Sequence, residues 1–137
     1  MALKLMFLLS VLLFAALMPP TAFTSDVESP YKISLVVYNS LTTAKNLTFS
    51  TDIAYRGILL GAMRKIAAKT NDFKFTIRDD LNYGPFLVSV NGVAGGDHTY
   101  WELLSKRANG TIIRPEVGVG CFIPDPDDTV ILKYTTW

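Results

Sequence analysis

Two acidic clusters, one histidine, one cysteine and a glycine-rich segment are the residues of this 137-residue chain whose types could do chemistry. Asp79-Asp80 offers two carboxylates for acid and base work. Neighbouring residues at a strand end point apart, so the pair reads as solvated turn carboxylates. Asp125, Asp127 and Asp128 resemble a calcium loop but lack its alternating oxygen ligands and closing Glu, and Pro124 and Pro126 mark a turn instead. His98 is the sole histidine, which excludes a multi-histidine metal site. With Cys121 it gives at most two ligands, too few for structural zinc. A Cys–His nucleophile pair is formally available, yet nothing in the sequence places the two together. Gly118-Val119-Gly120 lacks the strand-then-helix context of a phosphate loop. The sequence predicts no enzyme, no metal site and no covalent cofactor.

Binding chemistry is concentrated between Tyr83 and Leu104, YGPFLVSVNGVAGGDHTYWELL. A turn over Asn82-Tyr83-Gly84-Pro85 leads into an alternating strand. Phe86, Val88 and Val90 share one face of it, and Leu87, Ser89 and Asn91 the other. Asn91-Gly92 tolerates the positive φ of a tight hairpin turn. After Gly95-Gly96-Asp97, Tyr100 and Trp101 stand side by side, so that in a strand one faces the core and the other faces out. An aromatic pair in a small domain is ordinarily packing, worth about 1.5–3 kcal/mol per buried ring. An outward ring beside a Gly-Pro turn is also a flat apolar contact for a ligand.

The elements that position these residues follow from periodicity. Residues 1–25 read as a secretory signal peptide, with Lys4 as the only charge, an apolar run from Leu5 to Met18 and cleavage between Ala22 and Ser25. That run is about 14 residues, short of the ~20 that span a bilayer, and no second such run follows. The expected domain is 26–137, of about 112 residues, enough for one core. Its acidic and basic residues balance, which argues against nucleic acid or an anionic membrane as partner. The sequons Asn46-Leu47-Thr48 and Asn109-Gly110-Thr111 fit a secreted chain and predict glycosylation at Asn46 and Asn109. Cys121 reads as a buried small hydrophobe and free thiol in a monomer, with an intermolecular disulfide as the alternative.

Tyr31, Ile33, Leu35 and Val37 alternate with Lys32, Ser34, Val36 and Tyr38 as a first strand with at least one buried face, and Leu47, Phe49, Thr51 and Ile53 mark its hairpin partner. From about Gly57 to Lys69 the period changes, and Leu59, Met63 and Ile66 mark one amphipathic helix. Phe73, Phe75 and Ile77 form a third strand with Lys74, Thr76 and Arg78 outward. Gly118 to Phe122 is expected to enter a strand, and Thr129 to Trp137 is the last one. This order predicts an α+β fold in which a single helix packs on a mostly antiparallel sheet.

GPFLVSVNGV followed by HTYWELLS closely resembles the C-terminal β-domain of the transcobalamin and intrinsic factor family of cobalamin carriers. GILLGAMRKIAAKTNDFKF upstream, and Pro115 to Gly120 followed by Phe122 downstream, extend the resemblance over about Tyr31 to Trp137. It implies a β-grasp-like organisation and a secreted, non-catalytic domain. The implied ligand is cobalamin or another corrinoid, bound weakly by this domain alone. In that family the ligand's upper face is met by a turn and strand after an aromatic-Gly motif. The matching positions here are Tyr83, Gly84, Pro85, Phe86 and Leu87, with Tyr100 and Trp101 supporting them. The carriers' helical barrel has no counterpart in these 137 residues. Tyr83 also stands where several relatives carry a larger or less polar aromatic, and the linker from Ser105 to Pro115 is longer. The alternative is a secreted protein-interaction module of the same fold, docking a secreted or cell-surface protein, that has lost corrinoid binding. A cystatin-like protease inhibitor is a third reading, but the chain has no Gln-x-Val-x-Gly segment and no cysteine pair.

Overall fold

A computed structural model describes residues 28–137; the expected signal peptide lies outside the described residues. Strands β1 (Tyr31–Asn39) and β2 (Leu47–Ile53) form an antiparallel hairpin running in register from Tyr31 opposite Ile53 to Val37 opposite Leu47. Ile33, Leu35 and Val37 face inward, as their alternation predicts. Helix α1 (Leu59–Lys69) buries Leu59, Leu60, Ala62, Met63 and Ile66 in the same core.

Six further strands follow: β3 (Phe75–Asp80), β4 (Gly84–Val90), β5 (Val93–Ala94), β6 (Thr99–Lys106), β7 (Ile112–Ile113) and β8 (Thr129–Thr136). They do not join one sheet. β2, β1, β8, β6 and β7 lie side by side in a five-stranded sheet, and β3, β4 and β5 make a separate three-stranded one. The α+β class and the single described helix stand, but the expected single sheet is two. The reason lies in β8, which pairs parallel to β1 and antiparallel to β6 and so takes the place beside β1. The local hairpins of β3–β5 pair among themselves and pack Phe75, Ile77, Leu87 and Val90 onto the shared core. All neighbouring pairs except β1–β8 are antiparallel.

The hairpin between β4 and β5 turns at Asn91 and Gly92, with φ of 49° and 81°. Two successive positive φ values are what a type I′ turn requires, and Asn-Gly supplies them with least strain. The Asn91 side chain also bonds Lys74 N–H and the Asp72 carbonyl, tying the turn to the entry of β3.

Gly118 to Phe122 is a turn rather than the start of a strand. Ile58, at the N-cap of α1, has no side-chain cap. The orphan amides of Leu59 and Leu60 instead donate to the carbonyls of Phe122 and Val119, at 2.8 and 3.0 Å. Val119 and Phe122 are buried, whereas Cys121 points out and is exposed, contrary to its expected burial.

The acidic run that looked like a bare turn holds a buried carboxylate. Asp128 is 1% exposed, and its Oδ2 accepts bonds from Ser105 Oγ, Asp125 N–H and Arg107 at 3.1, 2.9 and 2.6 Å. Its backbone carbonyl accepts from Ser34, fastening the turn to β1. Removing one partner of a buried pair strands the other, at about 3–5 kcal/mol. Asp128→Ala is therefore expected to lower unfolding free energy by about 3 kcal/mol in urea melts, and a loss under about 1 kcal/mol would contradict this role.

Candidate functional site

The two sheets meet at a cleft between β4 and the start of β6, and most of the aromatics singled out in the sequence gather there. Its position depends on a bulge. Thr76 pairs with Ser89 and Ile77 with Leu87, which leaves Val88 without a partner. One extra residue reverses side-chain parity along a strand. Leu87 and Val90 thereby share the core side, while Phe86 and Ser89 share the outer side with Arg78 and Thr76. The expected grouping of Phe86 with Val88 and Val90 is corrected: Val90 is fully buried and Phe86 is 53% exposed.

Phe86, Leu87, Tyr100 and Trp101 line a cavity of about 300 Å³. Arg78 and Trp137 also line it; the sequence reading had placed Arg78 outward without a role. Val88, Gly95, Gly96 and Thr99 complete the wall and were likewise missed. The Gly95-Gly96 turn was visible as a turn, but nothing in the sequence brings the terminal Trp137 to it. Trp137 arrives because its N–H donates to the His98 carbonyl and its ring meets the His98 imidazole edge-on at 5.5 Å.

The other expected residues sit apart from the cavity. Tyr83 is 82% exposed at the tip of the β3–β4 hairpin, next to Gly84 at φ 70°. Asp80 shapes that tip, its Oδ1 accepting from the amides of Asn82 and Tyr83 at 2.8 and 3.0 Å. Pro85 is turned toward the Gly118–Phe122 turn and does not line the cavity. A Cβ on Gly120 would lie 2.8 Å from Pro85 Cδ, so only glycine permits this approach. Pro85 thus anchors the hairpin.

Trp101 and Tyr100 divide as strand geometry predicts. Trp101 faces inward, packs on Tyr134 at 5.1 Å between ring centroids, and donates its Nε1–H to the Val93 carbonyl at 2.8 Å. Tyr100 faces out and donates its hydroxyl to Glu102 Oε2 at 2.9 Å. Arg114 also bonds that carboxylate, and Lys133 lies 3.9 Å away. Burial alone pushes the Glu102 pKa up, but the bonds from Tyr100 and Arg114 and the nearby cations outweigh it and hold the group below its ordinary value. Tyr100 is shifted the other way, upward, first by its bond to Glu102 and then by burial.

A larger cleft of about 740 Å³ lies elsewhere, lined by Tyr31, Tyr55, Arg56, Ile123 and Asp125 among others. None of the seven residues expected from sequence lines it, and one wall is Glu28 to Pro30, where the described residues begin. Among the described residues no group of three His, Cys, Asp or Glu side chains could hold a metal ion, and no helix is long and apolar enough to cross a membrane.

No family model matches the sequence. Mouse transcobalamin-2 is 32% identical over 113 residues, covering 81% of this chain and 25% of the relative. The chain therefore spans a quarter of the length of the curated relative it matches. Among solved structures, haptocorrin in complex with Cbi superposes with a TM-score of 0.67 at 18% identity, over 82% of this chain and 26% of that one. A putative metal-binding protein from Ruminococcus gnavus superposes with a TM-score of 0.56 at 14% identity, over 78% of this chain and 98% of that one. The fold defines the class, an α+β domain of the kind that haptocorrin contains. The sequence match goes one step further: with the shared fold, it supports a C-terminal domain of the transcobalamin family.

The lowered Glu102 pKa has a testable sign. A depressed folded-state pKa contributes stability above the ordinary value of 4.5, and that contribution is lost as pH falls through the folded-state value. Urea melts should show Glu102→Gln less stable than wild type at pH 7, with the gap closing as pH falls below the ordinary value of 4.5. A gap that widens on acidification would contradict the assignment.

Proposed function

We propose that this chain is a secreted, non-catalytic corrinoid-binding domain that meets one face of its ligand with the outer side of β3 and β4. The observation that carries the reading is the exposure of Phe86 and Tyr83 on one hairpin, beside a cavity walled by Tyr100 and Trp101. A corrin is a broad amphipathic ring with amide side arms. Its face suits flat apolar contact, and its arms suit small polar clefts. At about 300 Å³ the cavity is too small to enclose the ring and suited to an arm. Kinship with transcobalamin-2 and the fold shared with haptocorrin, solved in complex with Cbi, support the ligand class. We further read the topology as β-grasp-like, with β1 and β8 as a parallel pair inside the five-stranded sheet and α1 following the β1–β2 hairpin onto the shared core.

A second reading has its own observation. Leu81 is fully exposed beside Tyr83 at the hairpin tip, as befits a contact with another protein. A titration with aquocobalamin followed by visible absorption separates the two. Tested by itself, this chain covers one face of a ligand that good pockets bury by roughly 70–90%. These 137 residues tested alone are also without the roughly 10²–10⁴ gain that two linked half-sites provide. The expected Kd is about micromolar or weaker, roughly −8 kcal/mol at best. Replacing Tyr83 and Phe86 together by alanine should abolish the spectral change without altering the melting temperature, since both rings lie outside the core. A sub-nanomolar Kd would refute the one-face account, and a double variant that binds normally would move the site elsewhere. No spectral change for wild type at high micromolar protein favours the interaction module.

The same reading makes the protein exported, cleaved near residues 22–25 and glycosylated at Asn46 and Asn109, both of which are exposed. Intact mass of the secreted form before and after glycosidase tests this. A retained Met1 or an unchanged mass would defeat it.

A further inference from the structure

We propose that Arg78 makes the site read an oxyanion, a phosphate or a carboxylate, carried on the corrinoid's periphery; this rests on the corrinoid reading above. Arg78 is exposed on the outer side of β3, directly opposite Phe86 on β4. Its guanidinium lies 5.8 Å from the centroid of the Phe86 ring, and the residue lines the cavity mouth. Among the described residues the other cations near the site are committed: Arg114 and Lys133 pair with Glu102. Among the described residues Arg78 makes no ion pair, although Asp79 and Asp80 follow it directly. The Asp80 carboxylate is occupied by the turn amides of Asn82 and Tyr83.

The remaining polar groups of the cavity wall leave Arg78 as its uncommitted charged donor. Gly96 N–H is bonded to Thr99, Trp101 Nε1 to Val93, and Tyr100 to Glu102. A guanidinium resting on an aromatic face is held in orientation while its N–H fork remains free, a geometry suited to planar oxyanions. An apolar ring settling on Phe86 would bring any acidic side arm within reach of it.

The test compares three probes on the whole chain: cyanocobalamin, which carries a phosphodiester; dicyanocobinamide, which carries none; and a cobinamide with one side-arm amide hydrolysed to the acid. Each is titrated against wild type and Arg78→Gln, with circular dichroism as the folding control. At least one anionic probe should bind wild type about tenfold tighter than dicyanocobinamide, since a charge-assisted bond is worth that much. The advantage should shrink with added salt and vanish in Arg78→Gln, while dicyanocobinamide binding stays the same. An advantage for cyanocobalamin identifies the anion as phosphate, and one for the hydrolysed cobinamide as carboxylate. Equal binding of all three probes by wild type, unchanged in the variant, overturns the role of Arg78 and leaves the corrinoid site standing. Failure of all three to bind wild type overturns the site itself, and this inference with it.

Discussion

One unpaired residue, Val88, decides which side chains of β4 meet solvent. Without the bulge, strict alternation would carry Phe86 to the side of buried Val90 and turn Leu87 outward. With it, the core gains both Leu87 and Val90, and the outer side gains an aromatic next to Arg78. The candidate ligand face thus arises from the same local irregularity that lets the small sheet fill the core. Bulges commonly re-aim side chains near functional sites, at the cost of one broken ladder step.

That face is held in place by contacts far from it in sequence. The Gly118–Phe122 turn bonds the first amides of α1 through its carbonyls and receives Pro85 against Gly120. A Cβ at position 120 would lie 2.8 Å from Pro85 Cδ, so that contact could not keep its present geometry. From the other side, Trp101 reaches the Val93 carbonyl and Tyr134 reaches Ala94 at 3.0 Å, joining the small sheet to the large one. Both sheets therefore contribute walls to one cavity without sharing a ladder. The buried Asp128 cluster stabilises the opposite end, where β8 enters between β1 and β6.

Much of this was legible in the residues themselves. Periodicity located β1, β2, α1 and β8, Asn91-Gly92 announced its turn, and strand geometry required Tyr100 and Trp101 to part. What periodicity could not convey was any departure from a regular strand. The Val88 bulge leaves no mark in an apolar run, so strict alternation gave Phe86 the same face as Val88 and Val90. The parallel pairing of β8 with β1 joins chain ends some hundred residues apart, and nothing local encodes it. Asp128 read only as part of a proline-marked turn because its partners, Ser105 and Arg107, lie in another strand and the loop beyond it. The packing of Pro85 against Gly120 was not legible, since that contact is purely tertiary. Arg78 was seen to point outward, but its lack of an ionic partner appears only in three dimensions.

The central claim is that a corrinoid rests on the outer side of β3 and β4. Amide chemical shifts recorded while cyanocobalamin is added to the isotopically labelled chain test it most directly. The account predicts shifts concentrated in residues 78–87 and 95–101 and at Trp137, with the Asp128 cluster undisturbed. Shifts confined to the cleft around Tyr31, Tyr55 and Arg56, or none at saturating ligand, would contradict it.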